Sequence, residues 1–307
     1  MKSIGQLLSG RFCAGALALV LVFSSGVGLA AEPDAGSDRA LLAKYSSIRP
    51  KLEKNQFGAP IYLESSELES SVRVDMYGVV NHPFDLVKEA LQSPANWCDI
   101  APLHINIKAC TFKTGTKPAQ LTLYSGRKYY QPPTDAYPLK YRFHVVSQQP
   151  RFLDLNLDAD EGPLGTRDHR MVLQAAPLNG RSTLLRFSYV YSHGAVARMA
   201  IKGYFSTIGR DKAGFSVVGG KGGKPRYIEG VRGAVERNTM RYYLALQTFL
   251  DTQKCPGNQV FEQRISRWYD LTAKYPRQLK EIDKQSYLSN KRLEHAKQLA
   301  LQKKEGS

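Results

Sequence analysis

Cysteine is scarce: there are four in 307 residues, too few for a disulfide-dense mini-protein, and no spacing among them and the six histidines matches a zinc site. Acidic residues are also in deficit, 27 against 43 Lys+Arg, for a net charge of +16. That excess does not imply disorder, because 42% of the residues are hydrophobic and 10% aromatic, enough apolar surface for a packed core. Catalytic signatures are missing. There is no Gly-x-Ser-x-Gly elbow, and the glycines at 219–224 lack the Gly-Lys-[Ser/Thr] ending of a phosphate loop, since Lys224 is followed by Pro225. Asp154, Asp158, Asp160 and Glu161 are not spaced as a calcium loop. No internal repeat is found. These absences leave neither a metal nor a cofactor to expect.

One apolar run is long. Lys2 and Arg11 precede an uncharged stretch from Phe12 to Leu29 that ends in small residues before Glu32, Pro33 and Asp34. A basic start, an apolar middle and a small-residue end make a secretory signal peptide over 1–30, cleaved after Ala30, with Ala31 the near alternative. An uncleaved anchor is the competing reading, but the second half is Ser/Gly-rich and no basic stop follows. Lys2 and Arg11 are the only charges in this segment, so the mature charge is +14. Export to the periplasm or beyond turns that basicity away from nucleic acid and towards anionic envelope surfaces. It also makes cysteine pairing favourable: Cys98, near a helix end, and Cys110, in the following strand, are the expected couple, with Cys255 left over. The alternative is three free thiols.

Residues 31–36 form a polar leader. Ser37 caps a helix from Asp38 to about Lys54, and Ser71–Val80 alternates as a half-buried strand. Pro83 opens a helix that Pro94 ends, and a short helical NWCDI segment follows. From Ile105 to His193 the chain reads as strands, among them LKYRFHVVS and RFLDLNLDAD, whose basic and acidic outer rows can pair across an antiparallel ladder. A helical AVARMAIKGYF, a Gly-rich loop over 214–228 and a long helix from about Glu229 to Thr252 complete the main domain. Residues 258–307 form a basic helical extension with 11 Lys+Arg against 6 Asp+Glu.

This order, together with the runs VDMYGVVNHPFDLVKEAL, RFHVVSQQPRFLDLNLDADEG, LLRFSYVYS and RGAVERNTMRYYLALQTFL, resembles the START-like helix-grip superfamily (SRPBCC) over about 37–253. The resemblance implies an α+β fold: a curved antiparallel sheet wrapped around a long C-terminal helix, with a pocket between them. By strand and helix spacing the pocket would be lined by Tyr141, Phe143, Leu155, Met171, Phe187, Tyr189 and Tyr191, with Tyr242, Leu246 and Phe249 from the helix. The flap beside it carries Lys221, Lys224 and Arg226.

Three functions follow as expectations. The first is an exported, monomeric, non-catalytic carrier that holds a hydrophobic or amphipathic small molecule, a lipid foremost, with an anionic membrane surface as a further partner. The second is a helix-grip enzyme, a cyclase or hydrolase, using His169, His193 or pocket tyrosines as acid and base. The third is an envelope interaction protein with a solid core and a basic tail.

Overall fold

Alternating apolar residues from Ile61 to His193 build one eight-stranded antiparallel sheet in the computed structural model, which describes residues 37–195, 198–199, 203, 212–222 and 224–305. The segments expected as signal peptide and leader lie outside these residues, as does most of the helical stretch expected over 195–205. The strands are β1 (Ile61–Glu67), β2 (Ser71–Val80), β3 (Ile107–Lys113), β4 (Ala119–Ser125), β5 (Tyr137–Gln149), β6 (Phe152–Glu161), β7 (Thr166–Pro177) and β8 (Thr183–His193). Their order is β1-β2-β8-β7-β6-β5-β4-β3. Pairing β2 with β8 joins the start of the domain to its end, while β3 to β8 form a continuous meander between them.

Helix α1 (Asp38–Glu53) is capped as its sequence predicts, Ser37 Oγ accepting from the Ala40 N–H at 3.3 Å. It covers the convex face, where Leu41, Ile48 and Leu52 pack with Tyr77, Phe152, Ala176 and Leu184. Helices α2 (Phe84–Leu91) and α3 (Pro94–Ile100) follow β2. Pro94 opens α3 rather than merely ending α2; proline suits a first helical turn, where its missing N–H is not needed. The disulfide joins Cys98 of α3 to Cys110 of β3, with Cα atoms 4.8 Å apart, and leaves Cys255 free.

The concave face holds the main core. Helix α4 (Gly230–Asp251) lies across it, so the chain is a helix-grip α+β protein. Gly78 decides how closely the helix approaches: a Cβ there would lie 2.1 Å from the Tyr243 hydroxyl, so only glycine lets α4 close on β2 at this level. Towards its N-terminus α4 packs Val231 and Val235 on Val72 and Val74 of β2, and a cavity opens between the helix and the β7–β8 side of the sheet.

The extension is part of this core. Helices α5 (Val260–Ala273), α6 (Pro276–Leu279) and α7 (Lys284–Glu305) add Ile265, Trp268, Leu279 and Tyr287 to the same apolar cluster. Helix α7 runs along the edge strand β3 and bonds its backbone through side chains. Gln298 accepts from the Cys110 N–H at 2.8 Å and donates to the Cys98 carbonyl, while Gln302 accepts from the Phe112 N–H and donates to its carbonyl. An open strand edge is thereby closed. Beneath it, Lys108 and Lys291, both buried, clamp Glu294 at 2.8 Å each, and every ammonium makes three hydrogen bonds. Burial pushes both lysines' pKa values down, against the opposing pull of Glu294.

Candidate functional site

The cavity between α4 and the β7–β8 side of the sheet has a volume of about 300 Å³. Its walls differ in character. One is aromatic, with Tyr189 and Tyr191 of β8, His169 of β7, and Pro163 and Leu164 from the β6–β7 turn facing Val235 of α4. The other is charged, with Lys128, Arg237, Arg241 and Glu281 beside Asn106, Ser125 and Asn238.

A bulge in β7 between Arg167 and Arg170 builds the aromatic wall. Asp168 there takes a positive φ of 53°, and the extra residue turns both Thr166 and His169 inward although they are three apart. Gly162 makes room, since a Cβ at that position would lie 2.0 Å from His169 Nε2. His169 is held at both nitrogens, Nδ1 to the Tyr189 hydroxyl at 2.7 Å and Nε2 to Thr166 Oγ1 at 2.9 Å. The single Thr166 proton goes to the Pro163 carbonyl at 2.7 Å, so Thr166 must accept from His169. That places the imidazole proton on Nε2 and makes Tyr189 the donor to Nδ1. The ring also stacks on Tyr191 at 5.3 Å. Burial lowers its pKa to about 4, the nearby Asp168 charge opposing weakly. Burial raises Tyr191 to about 12 and Tyr189 well above 10.

The charged wall centres on Glu281, between α6 and α7. Its carboxylate receives Lys128 Nζ at 2.7 Å, Lys212 Nζ at 2.8 Å and Arg241 Nη2 at 3.0 Å. Burial works to raise the Glu281 pKa, but the hydrogen bonds from Lys128 and Lys212 and the Arg241 charge outweigh it and hold the group at about 2. Arg241 is 2% exposed; burial lowers its pKa, with Glu281 partly compensating. Its Nη1 donates to Asn238 Oδ1 at 3.3 Å, and its Nε has no hydrogen-bond partner among the described residues.

Of the ten ligand-lining residues the spacing singles out, Tyr189 and Tyr191 stand on the cavity wall. The other eight do not. Tyr141, Phe143, Leu155, Met171, Phe187, Leu246 and Phe249 are buried in the packed core, and Tyr242 wedges between His104 and Phe187, its ring 4.6 Å from the imidazole. The helix sits too close to the sheet at their level to leave a void. His193 is buried but off the cavity wall, edge-on to Tyr191, so it does not meet His169 as an acid–base pair. The Gly-rich segment forms a hairpin, β9 (Val217–Lys221) with β10 (Lys224–Tyr227), in which Lys224 and Arg226 are exposed and do not line the cavity; the Lys221 side chain expected beside them lies outside the described residues. Its base is tied to α4 instead, Glu236 accepting from the Phe215 and Ser216 N–H groups at 2.7 and 2.9 Å.

Sequence reading missed the charged wall. Arg241 carried a signal, a cation one step from the apolar stripe of a helix that must be covered. Lys128 lies in an irregular loop and Glu281 in the extension, and nothing local ties either to the sheet.

No family model and no curated relative matches the sequence. Among solved structures the chain is similar to truncated norcoclaurine synthase from Thalictrum flavum, at 12% identity and a TM-score of 0.34, over 45% of this chain and 86% of that one. It is also similar to an uncharacterised protein from Rhizobium leguminosarum, at 12% and 0.34 over 63% and 99%, and to a conserved protein from Geobacillus kaustophilus, at 11% and 0.33 over 59% and 95%. The fold assignment rests on the strand order and helix placement, and the chemistry on the cavity walls.

Proposed function

We propose that this is an exported protein that binds one small amphipathic molecule in the cavity between α4 and the β7–β8 side of the sheet. The observation that carries the reading is the two-sided cavity itself: an aromatic wall to take an apolar body and a polar wall to orient it, the usual division of labour in ligand pockets. At about 300 Å³ the cavity is at the small end of ligand pockets, which fits a compact ligand or a single short chain better than a whole two-chain lipid. The Cys98–Cys110 disulfide supports an oxidising compartment and hence export. Acid–base catalysis through His169 has less support, since both of its nitrogens are already committed and its pKa is about 4.

Native mass spectrometry of protein purified from its own host tests the reading. An adduct of a few hundred daltons is expected on the wild type and not on Ala234→Phe, which projects a ring from α4 into the cavity without removing a side-chain hydrogen bond. Bare protein in every preparation would count against it. N-terminal sequencing of the same material should begin at residue 31; a chain that retains residues 1–30 contradicts cleavage.

A further inference from the structure

The charge on the polar wall does not balance. Lys128, Lys212 and Arg241 bring three positive charges to one carboxylate, Glu281, leaving two in excess at the cavity; Arg241 is buried, while the two lysines are each about a third exposed. A local excess of positive charge at a cavity wall favours a negative partner there. The donors left over are specific. Arg241 spends its Nη atoms on Glu281, Asn238 and the Leu279 carbonyl, whereas its buried Nε has no partner among the described residues. Lys128 directs one ammonium proton to Glu281 and has two others to give. Both residues line the cavity. Val235, on the aromatic side, precedes Arg241 by six residues of the same helix, a rise of about 9 Å, roughly the length of a one- or two-ring molecule.

We propose that the ligand is an organic acid, its anionic head held by Lys128 and Arg241 and its apolar or aromatic body laid against Tyr189 and Tyr191. The proposal rests on the binding reading above and adds the charge of the ligand to it. Glu281 keeps the cations in place, and Lys128, with two ammonium protons to give among the described residues, borders the cavity together with Arg241. Asn106, Ser125 and Asn238 add neutral polar groups next to the head.

The test uses the full mature chain and two dyes of nearly the same shape, 1-anilinonaphthalene-8-sulfonate and its neutral counterpart N-phenyl-1-naphthylamine, titrated by fluorescence. The wild type is expected to bind the sulfonate at least about tenfold more tightly, because a charge-assisted hydrogen bond is worth about that factor or more. Lys128→Ala, at a partly exposed position and checked for folding by circular dichroism, should cost the sulfonate about tenfold and leave the neutral dye unmoved. Arg241→Gln, checked for folding by circular dichroism, should do the same more strongly, and Ala234→Phe should abolish both. Displacement of the sulfonate by phenyl phosphate and by phenylacetate, compared, identifies the preferred head; displacement by neither overturns the proposal. Equal affinity for the two dyes, or a Lys128→Ala loss shared by both, also overturns it while leaving the binding reading intact. Failure of both dyes to bind the wild type, or binding indifferent to Ala234→Phe, instead removes the binding site itself.

Discussion

Acid should weaken this protein through a histidine rather than through its carboxylates at first. The buried His169 is neutral, with a pKa lowered from 6.5 to about 4, so the folded state resists a proton that the unfolded chain accepts. The unfolded state therefore binds more protons throughout the interval from 6.5 down to 4, and stability falls as the pH falls through it, with no further loss from this group below. Between pH 7 and pH 5 the unfolded imidazole becomes almost fully protonated while about a tenth of His169 does, which integrates to a loss of about 2 kcal/mol. His104 and His295 are also lowered, mainly by burial, and act in the same direction. Comparison with His169→Gln separates them, because glutamine can accept from Tyr189 and donate to Thr166 without titrating. Urea unfolding at pH 7 and pH 5 should show a drop about 2 kcal/mol smaller in the variant than in the wild type. Equal drops, or an NMR titration of His169 near 6.5, would refute the hydrogen-bond assignment and the burial argument together.

Other perturbations address the remaining parts of the framework. Replacing Gln298 and Gln302 by alanine removes four hydrogen bonds to the β3 side of the molecule; at about 1 kcal/mol each it should cost about 4 kcal/mol in chemical unfolding and expose a strand edge, seen as faster aggregation. Reducing the Cys98–Cys110 bridge, which closes a loop of sequence separation 12, should lower stability by about 3 kcal/mol, and a 98–110-linked peptide must appear in non-reducing mass spectrometry. Gly162→Ala drives a methyl into His169 and should impair ligand binding more than it lowers the melting temperature; the opposite ordering would mean that the β6–β7 turn supports the fold and not the site. Glu281→Gln leaves three cations facing one another and should destabilise the protein by about 3 kcal/mol or more, an effect that inorganic phosphate should partly reverse in a thermal-shift assay.

The elements were legible because each is a local pattern. Alternation over 71–80 gives β2 with the same bounds, Ser37 caps α1 as its side chain predicts, and the acidic row of β6 meets basic residues of its neighbours, with Arg142 on Asp160 at 2.7 Å and Arg170 near Asp158 at 3.5 Å. The cavity was not legible, because alternation says which face a residue is on and not whether a helix presses against that face. At Tyr243 the distance is set by Gly78, a residue that reads simply as one more position in a strand. The bulge at Asp168 interrupts the alternation of β7 and turns Thr166 to the same side as His169, which no period in the sequence announces. Glu281 shows the limit most plainly, since it reaches the site only because α5 to α7 pack back on the core, a long-range arrangement carried by Trp268, Tyr287 and the glutamines on β3.

Chemical-shift mapping with the anionic dye is the most direct measurement. If the cavity is the binding site, amide shifts in a proton–nitrogen spectrum should concentrate in residues 162–169, 189–191, 234–241 and 281, and should vanish in Ala234→Phe. Shifts confined to the 217–227 hairpin or to the outer faces of α5 and α7, with those residues unmoved, would contradict the central claim that this helix and sheet enclose a ligand.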